Sequence, residues 1–582
     1  MMSFYIISLT FVLCINLCSC DLPVHCKMED IFSLWTFRIN STSFEPSLKN
    51  EQTTCGHGFP DQVDMTIGDK NFKFKHYTDI ELILGKDYKV YDKTGMIQEG
   101  NWTTVYDEAF VVYYKEMVFT AFMKYYKNSQ RDKDYSSNCD KTMVGWVIQN
   151  GKVNNKDWHC FFGFKSSIKN QFSPNTFLGY NNYNTNSNTN TEKGYAFLEM
   201  ELGAISEANM KMTDYLQKDF VDEINNNTDL LWKADIYDDY KNLSFFELRK
   251  KLGLNNKNKK ISSLVSSIPS EYSKLLLGNS PINQPTSFDS FLEQNAKTSQ
   301  YKLAHPDRDG HLETDYSVIS KYLNTEISDI DENTLPKNWD WRNIGGVNYI
   351  PEPEIQGECG SCYIFSLISS LESRLRILTN NKDKTKFSRQ FPLACSFYTE
   401  GCQGGYPYLV AKFLNEFEIV PDNCMPYDPS NVKCSNVCDY TLNKYKYRVS
   451  KFEYLGGFYG GTSEIDIMKE IRARGPIPGN MRVPWTFSYY KRGIYSEKHL
   501  IKNSGKLSNM RMLDNKLTWS NVEHSILLVG YGEENGVKYW IGMNTWGEHW
   551  GEKGFFRILR GENECNIETM GDCARIEKVL RN

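Results

Sequence analysis

The sequence predicts an α+β protein in which an antiparallel β domain precedes a larger domain of mixed helices and strands. Residues 21–167 alternate apolar and polar positions with a period of two, as in ELILGKDYKVYD and EAFVVYYKEMVFTAFMKYY. This pattern is typical of strands that have one buried face. Residues 335–582 are instead dense in Trp, Gly and Cys, and they contain a helical apolar repeat as well as strand-like runs. Because a chain of 582 residues exceeds one ordinary domain, we expect at least two.

The composition excludes partners that are bound mainly through charge. Hydrophobic residues make up 40% of the chain and aromatic residues 14%, which is enough for sizeable cores. The formal net charge of -5 is small for this length, so it gives no electrostatic reason to expect nucleic acid or an anionic membrane. We therefore expect neither of these as a partner.

The first segment has the features of a secretory signal peptide. Residues 1–18 form an apolar run without charged side chains, shorter than the ~20 residues that span a bilayer. Small residues at Cys18 and Cys20 are the kind that a signal peptidase recognises, so we predict a signal peptide over 1–20 and cleavage after Cys20. The run lacks an N-terminal Lys or Arg, and an uncleaved anchor is the alternative. We expect a protein of the secretory pathway.

The stretch CSCDLPVHC at 18–26 is consistent with a metal clip, the start of a disulfide framework or a processing site. The chain has 16 cysteines, and loss of Cys14, Cys18 and Cys20 with the signal peptide leaves 13. A clip would then lose two of its three ligands, so we expect no metal. An odd number of cysteines in an oxidising compartment leaves one thiol unpaired, which is a candidate reactive group.

Residues 168–334 differ from both flanking regions. They contain the low-complexity stretch YNNYNTNSNTNTEKG at 180–194, a charged helical pattern DYKNLSFFELRKKLG, and a Ser/Pro/Asn-rich linker over about 262–300. This region has no cysteine, and much of it is too polar to form a core. We interpret it as a removable or regulatory segment.

The stretch IQGECGSCYIFSLISSLESRLRIL at 355–378 predicts a helix that begins near Cys362, since apolar residues recur there at helical spacing. A thiol at a helix N-terminus lies at the positive end of the helix dipole, which lowers its pKa and favours the nucleophilic thiolate. Gly360 and Ser361 allow a tight turn into the helix. Cys362 is therefore the candidate nucleophile.

A nucleophilic thiolate needs an imidazole base and donors for an oxyanion. His524 in VEHSILLVGYG precedes a strand-like run, and Asn544 in NTWGEHWG can orient its ring while Trp546 screens that bond from water. Gln356 can join the Cys362 backbone N–H in an oxyanion hole. Each residue alone has an ordinary explanation, such as a disulfide cysteine, a structural histidine or a surface glutamine. Their order and flanking strings favour a catalytic set.

Several motifs carry a resemblance to a known family. CGSCYIFS, EHSILLVGYG and NTWGEHWG resemble the papain-like cysteine peptidases, over all of residues 335–582. GCQGGYPYLVA, YLGGFYGG and LPKNWDWRN are similar to the cathepsin C (dipeptidyl peptidase 1) group, as is Tyr363, where most papain-like enzymes have Trp. DLPVHC, NCDKTMVGWV and DWHCFFG resemble the exclusion domain of that group. The Asn- and Tyr-rich insertions are similar to those of apicomplexan dipeptidyl aminopeptidases.

The resemblance implies a domain order. Residues 21–167 are expected to form a β-barrel exclusion domain and residues 335–582 a two-lobed peptidase domain, with a helical left lobe and a β-barrel-like right lobe. ADIYDDYKNLSFFELRKKLG resembles the segment that the group excises during maturation, so 168–334 is expected to be a propeptide. The insertion at 496–521 lies where the group is cut into heavy and light chains.

The resemblance also implies the disulfides, which spacing alone leaves open. Cys362 stays free in this scheme, while Cys565 and Cys573 remain, with a bridge between them as the open alternative. The expected pairs are Cys26–Cys139 and Cys55–Cys160 in the exclusion domain, and Cys359–Cys402, Cys395–Cys434 and Cys424–Cys438 in the peptidase domain.

The resemblance implies an exopeptidase that releases dipeptides. A papain-like cleft is open at both ends, so such activity requires a barrier after two residues and a carboxylate for the substrate ammonium, which is costly to bury unpaired. The matching carboxylate is Asp21, the residue exposed by cleavage after Cys20; an ordinary solvated N-terminal Asp is the alternative. An endopeptidase with an undocked first domain, and a non-catalytic binding protein on the same scaffold, are the competing functions.

The resemblance further implies a chloride ion near the pocket for the second substrate residue, bound through a backbone N–H and a tyrosine hydroxyl. The matching positions are Tyr408 and Tyr454, although aromatic residues there also suit a core. We expect no organic cofactor, and peptides with a free N-terminus and processing proteases as partners. The resembled group forms tetramers and works in lysosome-like acidic compartments, digestive vacuoles or secretory organelles, or outside the cell.

Two stretches depart from the family pattern. GPIPGNMRVP at 475–484 replaces a more hydrophobic β run and is expected to reshape the floor of the cleft. FSRQFPLACS at 387–396 differs from the usual acidic and Gln pattern before that cysteine. Neither change removes a candidate catalytic group.

Overall fold

The computed structural model describes the parts of the chain that build two folded regions and a segment between them. The predictions on the signal peptide, Asp21, the low-complexity stretch, the linker and residues 498–521 lie outside these parts. The described residues are 26, 28–48, 51–57, 74–127, 135–149, 158–166, 214–241, 243, 248, 251–253, 326–434, 444–497 and 522–580. Among them, no helix is both long and apolar enough to cross a membrane.

The first region is an antiparallel barrel. The alternating pattern predicted the antiparallel strands, and the family resemblance implied the barrel. Eight of its described strands pair in a closed ring, β1-β2-β3-β4-β5-β6-β8-β9 and back to β1, and β7 pairs alongside β6. A short helix, α1 (Met28–Ile31), precedes the ring. The strands are β1 (Ser33–Asn40), β2 (Tyr77–Leu84), β3 (Lys89–Asp92), β4 (Gln98–Val105), β5 (Ala109–Tyr114), β6 (Met117–Lys127), β7 (Tyr135–Thr142), β8 (Gly145–Gln149) and β9 (Trp158–Lys165).

Aromatic side chains fill the interior of the barrel. The ring of Phe37 lies 5.1 Å from that of Phe119 and 5.6 Å from that of Phe161, so three strands meet around one cluster. Buried residues alternate with more exposed ones in parts of β2 and β9, whereas β5 and β8 each bury four consecutive residues.

The segment between the two regions contributes one helix and one strand. They are α2 (Asp214–Asn226) and β10 (Trp232–Ala234), followed by a short 3-10 turn at Asp238–Tyr240. β10 pairs antiparallel with β14 (Tyr490–Tyr495) of the second region, and Trp232 is buried there. This segment therefore packs on the second region.

The second region has the mixed helices and strands that were predicted. One sheet has the order β10-β14-β17-β16-β15-β11, with β13 beside β15, and β12 pairs with β18. The helices are α3 (Cys362–Leu378), α4 (Gln390–Cys395), α5 (Pro407–Glu416) and α6 (Glu464–Arg474). The other strands are β11 (Trp339–Asp340), β12 (Tyr445–Tyr454), β13 (Ile477–Met481), β15 (His524–Glu534), β16 (Val537–Met543), β17 (Phe555–Leu559) and β18 (Asp572–Leu580).

Helix α3 runs through the centre of this region, with all but two of its 17 residues buried. Its apolar side packs against β13, β15 and β18. Two of its charged residues, Glu372 and Arg374, are buried too, and each has a partner. The Glu372 carboxylate accepts hydrogen bonds from Arg389 at 2.6 Å and from the Phe387 backbone N–H at 2.8 Å. Arg374 pairs with Glu470 of α6 at 2.8 Å.

Four of the five expected disulfides are present, and the open question about Cys565 and Cys573 is answered. Cys424 is disulfide-bonded, while its expected partner Cys438 lies outside the described residues. Cys565 and Cys573 are free thiols and form no bridge. Each thiol donates to a carboxylate instead: Cys573 to Glu470 at 2.9 Å, Cys565 to Glu564 at 3.6 Å. The four bridges are Cys26–Cys139, Cys55–Cys160, Cys359–Cys402 and Cys395–Cys434.

The barrel packs on the helical lobe of the second region through aromatic residues. The ring of Trp146 lies 4.7 Å from that of Tyr398, and Tyr88 stacks on Phe458 at 3.8 Å. A hydrogen bond of 3.0 Å joins the hydroxyls of Tyr113 and Tyr408 across the interface. The barrel and the helical lobe therefore share one continuous hydrophobic core.

Replacing Arg389 with Met should strongly destabilise the second region. The Glu372 carboxylate would stay buried without its guanidinium partner, which costs about 3–5 kcal/mol in such pairs. The exposed Lys115–Glu99 pair of the barrel, at 2.9 Å, offers the matched control. Lys115→Met should change the free energy of unfolding by less than about 0.5 kcal/mol. Urea denaturation measures both changes, and equal effects of the two substitutions would contradict the expectation.

Candidate active site

Cys362 is the first residue of α3, as predicted, and it is buried. Burial raises the pKa of its thiol to about 11, although hydrogen bonds from the backbone N–H groups of Ser525 and Tyr363 lower it. The prediction that the helix start leaves this thiol with a lowered pKa is therefore wrong for the chain as it stands here. Desolvation of the thiolate outweighs the favourable backbone dipoles.

His524 and Asn544 meet because they lie at the adjoining ends of two paired strands. His524 begins β15, and Asn544 directly follows β16, the antiparallel neighbour of β15. The Nε2 atom of His524 is 2.8 Å from the Oδ1 atom of Asn544, and both side chains are buried. The same Oδ1 accepts the backbone N–H of Thr545 at 2.8 Å, which holds the amide in place.

The strand that carries His524 is tied to the helix that carries Cys362. The hydroxyl of Ser525 lies 2.7 Å from that of Ser366, one turn beyond Cys362. Since the Ser525 N–H also points at the Cys362 sulfur, the thiol and the imidazole come from neighbouring positions of two packed elements. The structure thus brings together the three residues that the sequence suggested.

Trp546 covers the histidine. Its ring stacks on that of His524 with centroids 5.3 Å apart and an angle of 25° between the planes. A second indole, that of Trp550, packs edge-on against Trp546 at 4.9 Å. Water is kept from the bond between His524 and Asn544 on this side, which strengthens that bond.

Gln356 is buried beside the start of α3. Its Nε2 donates to the carbonyl of Cys359 at 2.9 Å, and its Oε1 accepts from the hydroxyl of Thr545. Its backbone N–H donates to the carbonyl of Thr545 at 2.9 Å. The amide nitrogen has a second hydrogen, so Gln356 is held where a further acceptor near Cys362 could be bound.

Sequence reasoning missed the contact between the middle segment and this site. The indole N–H of Trp546 donates to the carbonyl of Leu252 at 3.2 Å. A Cβ atom added to Gly253 would clash with the Gln356 side-chain amide and the Cys359 carbonyl. Gly253 has a φ of +67°, so both conformation and space favour glycine here. The sequence signal for this contact was the apolar spacing in the preceding helical pattern, which indicates that one face of the segment is packed.

Tyr408 and Tyr454, the expected chloride residues, lie side by side at the barrel interface. Their rings stack at 4.6 Å, Tyr408 in the first turn of α5 and Tyr454 at the end of β12. First-turn N–H groups have no partner within their helix. The buried Tyr454 hydroxyl forms no hydrogen bond with any described residue. An unsatisfied hydroxyl beside a helix N-terminus fits a small anion.

Two departures from the family pattern are accommodated locally. GPIPGNMRVP still forms strand β13 against β15, with Asn480 buried. In FSRQFPLACS, Arg389 binds Glu372, and the Gln390 side chain accepts the Asp428 backbone N–H at 2.9 Å. In both stretches, buried polar side chains are thus hydrogen-bonded within the fold, Asn480 through its bond to Asp572.

The comparisons with known proteins agree with this geometry. Residues 335–574 match the description "Papain family cysteine protease", and residues 21–165 match "Cathepsin C exclusion domain". Cathepsin Z of Onchocerca volvulus is 32% identical over 276 residues, which are 44% of this chain and 81% of that protein. The chain belongs to the papain family of cysteine proteases.

Two relatives match over nearly the whole chain. Cathepsin C of Schistosoma mansoni is 26% identical over 586 residues, 98% of this chain and 98% of that protein. Dipeptidyl aminopeptidase 1 of Plasmodium falciparum (isolate 3D7) is 24% identical over 678 residues, 96% of this chain and 93% of that protein. The chain therefore joins a papain-type peptidase domain to a cathepsin C exclusion domain, as its motifs predicted.

The Cys362 thiol should react slowly with iodoacetamide in the intact chain and faster once the middle segment is loosened. Tyr237 anchors that segment, since its hydroxyl donates to the Tyr490 carbonyl at 2.6 Å and accepts the Gly551 N–H at 2.7 Å. Tyr237→Ala should raise the alkylation rate by about tenfold or more, because the lost contacts exceed the ~1.4 kcal/mol that tenfold represents. Mass spectrometry of the labelled peptide measures the rate.

The exposed residue Lys218 on α2 provides the control. Lys218→Ala should leave the alkylation rate unchanged. Equal rates for Tyr237→Ala and the unaltered protein would show that the segment does not protect the thiol.

Proposed function

We propose that the protein is an exopeptidase that removes dipeptides from the free N-terminus of peptides and proteins. The observation that carries this proposal is the docked barrel: it packs on the peptidase domain through Tyr113 and Tyr408, so it can close one end of the cleft. A papain-type cleft without such a domain binds chains on both sides of the scissile bond. Near-complete coverage of two relatives, named as a cathepsin C and a dipeptidyl aminopeptidase, supports the same proposal.

The proposed chemistry is acyl transfer through a thioester. The Cys362 sulfur forms a bond to the scissile carbonyl carbon as its proton passes to His524, and the carbonyl electron pair moves onto oxygen. The Cys362 N–H and the Gln356 amide stabilise that oxyanion, while Asn544 orients the imidazole. The C–N bond breaks as His524 protonates the leaving amine. Water then attacks the thioester, His524 takes its proton, and the C–S bond breaks to restore the thiol.

The proposed origin of the two-residue limit is an ion pair with the substrate ammonium. Asp21 is the proposed partner, placed at the N-terminus by cleavage after Cys20; it lies outside the described residues. The Cys26–Cys139 disulfide attaches the chain to β7 only five residues beyond Asp21. Such a tether reduces the conformational freedom of the terminus and hence the entropy lost when it binds an ammonium group.

We infer that residues 168–334 keep the enzyme inactive until they are removed. β10 extends the peptidase sheet, Leu252 binds Trp546, and Gly253 lies against Gln356. Further along, Glu326 contacts Arg474 at 3.8 Å. Removal of the segment would uncover the thiol, and its pKa would then fall because desolvation is relieved.

The proposed anion, substrates and surroundings follow from the same proposal. Chloride would be held by the Tyr454 hydroxyl and the Tyr408 backbone N–H, where it would supply a fixed negative charge beside the cleft. The substrates are peptides with a free ammonium terminus, reached through the secretory pathway in a lysosome-like acidic compartment.

Cys362→Ala should abolish dipeptide release from a fluorogenic peptide amide, because no other group can form the acyl-enzyme. Turnover at the unaltered rate would refute the assignment.

Acetylation of the substrate should lower kcat/KM by about 10²-fold or more, since the ammonium contact is lost and the blocked terminus meets the barrel. Acetylated and free peptides cleaved at equal rates would favour the endopeptidase alternative.

Asn544→Ala should lower kcat by roughly 10²-fold while KM changes little, because a misoriented imidazole affects proton transfer more than substrate binding. Asn535→Gly is the matched control, since Asn535 lies in an exposed turn with a φ of +51° that glycine adopts freely. Steady-state kinetics of both variants measure the difference. An unchanged kcat for Asn544→Ala would exclude a positioning role for this side chain.

A further inference from the structure

Asp572 is a buried acid that the proposed mechanism does not use. It lies directly opposite Tyr454 in the antiparallel pair of β18 and β12. Directly opposed residues project to the same face of the pair with their Cβ atoms about 4.5–5.5 Å apart. The carboxyl of Asp572 and the phenol of Tyr454 therefore share one buried environment, with exposures of 3% and 2%.

The hydrogen bonds of this pair are incomplete. The Asp572 Oδ2 atom accepts the side-chain amide of Asn480 at 2.7 Å. The Oδ1 atom of Asp572 and the hydroxyl of Tyr454 form no hydrogen bond with any residue in the described parts of the chain. Buried polar atoms are nearly always paired, so two unpaired atoms on one face indicate a missing partner for both.

The charged side chains near Asp572 already form ion pairs with other residues. On β12, Glu453 pairs with Lys451 at 3.0 Å. On α5, which packs against β18, Lys412 pairs with Glu416.

The other elements around Asp572 supply no cation either. On α3, Arg374 pairs with Glu470 of α6 at 2.8 Å. β13 has no titratable residue, and the barrel contributes the neutral Tyr113. In the described structure, Asp572 has no salt-bridge partner, and burial raises the pKa of its carboxyl to about 7.

An open cavity lies beside Tyr454 between the barrel and the peptidase domain. Its lining includes Tyr113, Tyr408 and Tyr454. The Tyr454 side chain thus forms part of the wall of this cavity, and its hydroxyl is itself buried. An Asp572 carboxylate on the same face of the strand pair would repel an anion at that hydroxyl, whereas the neutral carboxylic acid would not.

We propose that Asp572 makes halide binding at Tyr454 conditional on a proton, so that the anion enters only when the Asp572 carboxyl is neutral. The proposal rests on the anion site proposed above for Tyr408 and Tyr454. It adds a residue that the family resemblance did not assign. Binding of one halide is accompanied by uptake of one proton whenever the carboxyl is ionised beforehand. The site is then filled in an acidic compartment and emptied near neutral pH.

Bromide binding to the full-length Cys362→Ala protein tests this directly, without a readout of peptidase activity. Isothermal titration with sodium bromide, at constant ionic strength set with sulfate, should give one site at pH 5. Because only the protonated form binds, the apparent Kd should rise about tenfold per pH unit above pH 7. Titrations in buffers of different ionisation enthalpy should report uptake of about one proton per bromide at pH 8.

Two substitutions test whether the Asp572 carboxyl and the Tyr454 hydroxyl are responsible for the pH dependence of bromide binding. Asp572→Asn keeps the size of the side chain and its bond to Asn480 but removes the charge, so its bromide Kd should not vary between pH 5 and 8. Tyr454→Phe removes the hydroxyl and should weaken bromide binding at every pH. If Asp572→Asn fails to fold, the pH series and proton uptake of the protein with native Asp572 still decide the question.

The outcomes separate this inference from the proposed function. Bromide binding that is independent of pH in the protein with Asp572 would overturn the inference while leaving the anion site intact. Absence of bromide binding at all pH values would overturn the anion site and the inference with it. In either case the peptidase proposal is judged separately, on dipeptide release by the protein with Cys362.

Discussion

The packing of α3 against β15 is the constraint on which the rest of the site depends. One element carries Cys362 and the other begins at His524, and the hydroxyls of Ser366 and Ser525 join them at 2.7 Å. Because both elements are buried along most of their length, neither can shift without opening the core. Thiol and imidazole are therefore positioned by the core of the domain, which is the support that precise catalytic geometry requires.

The predictable parts of this protein are those encoded in local patterns. The helix at 362–378 followed from its apolar spacing, and the antiparallel strands of the first region followed from alternation, because both periods reflect one buried face. The closure of those strands into a barrel was implied only by the family resemblance. The meeting of His524 with Asn544 could be suggested from motifs, but its geometry depends on the pairing of β15 with β16. The pairing of Tyr454 with Asp572 depends on register between distant strands, and no local pattern encodes it.

One wrong prediction and one question that the sequence left open share a physical cause. The helix start does favour a thiolate at Cys362, but the thiol is buried and desolvation dominates. A bridge between Cys565 and Cys573 was open on the count of cysteines alone. In the fold, each thiol faces its own carboxylate, so their separation is set by the surrounding elements. Both cases depend on contacts between residues far apart in the chain.

The pairing of β10 with β14 has a consequence for the enzyme after maturation. Removal of the middle segment, as proposed, would turn β14 from an inner strand into the edge of its sheet, with backbone groups newly open to pairing. Open edges promote aggregation unless charge or irregularity blocks them. β14 has only six residues and carries Lys491 and Arg492 beside Gly493, whose φ is +96°. The mature sheet would thus be protected from edge-to-edge association by a short, cationic and irregular strand.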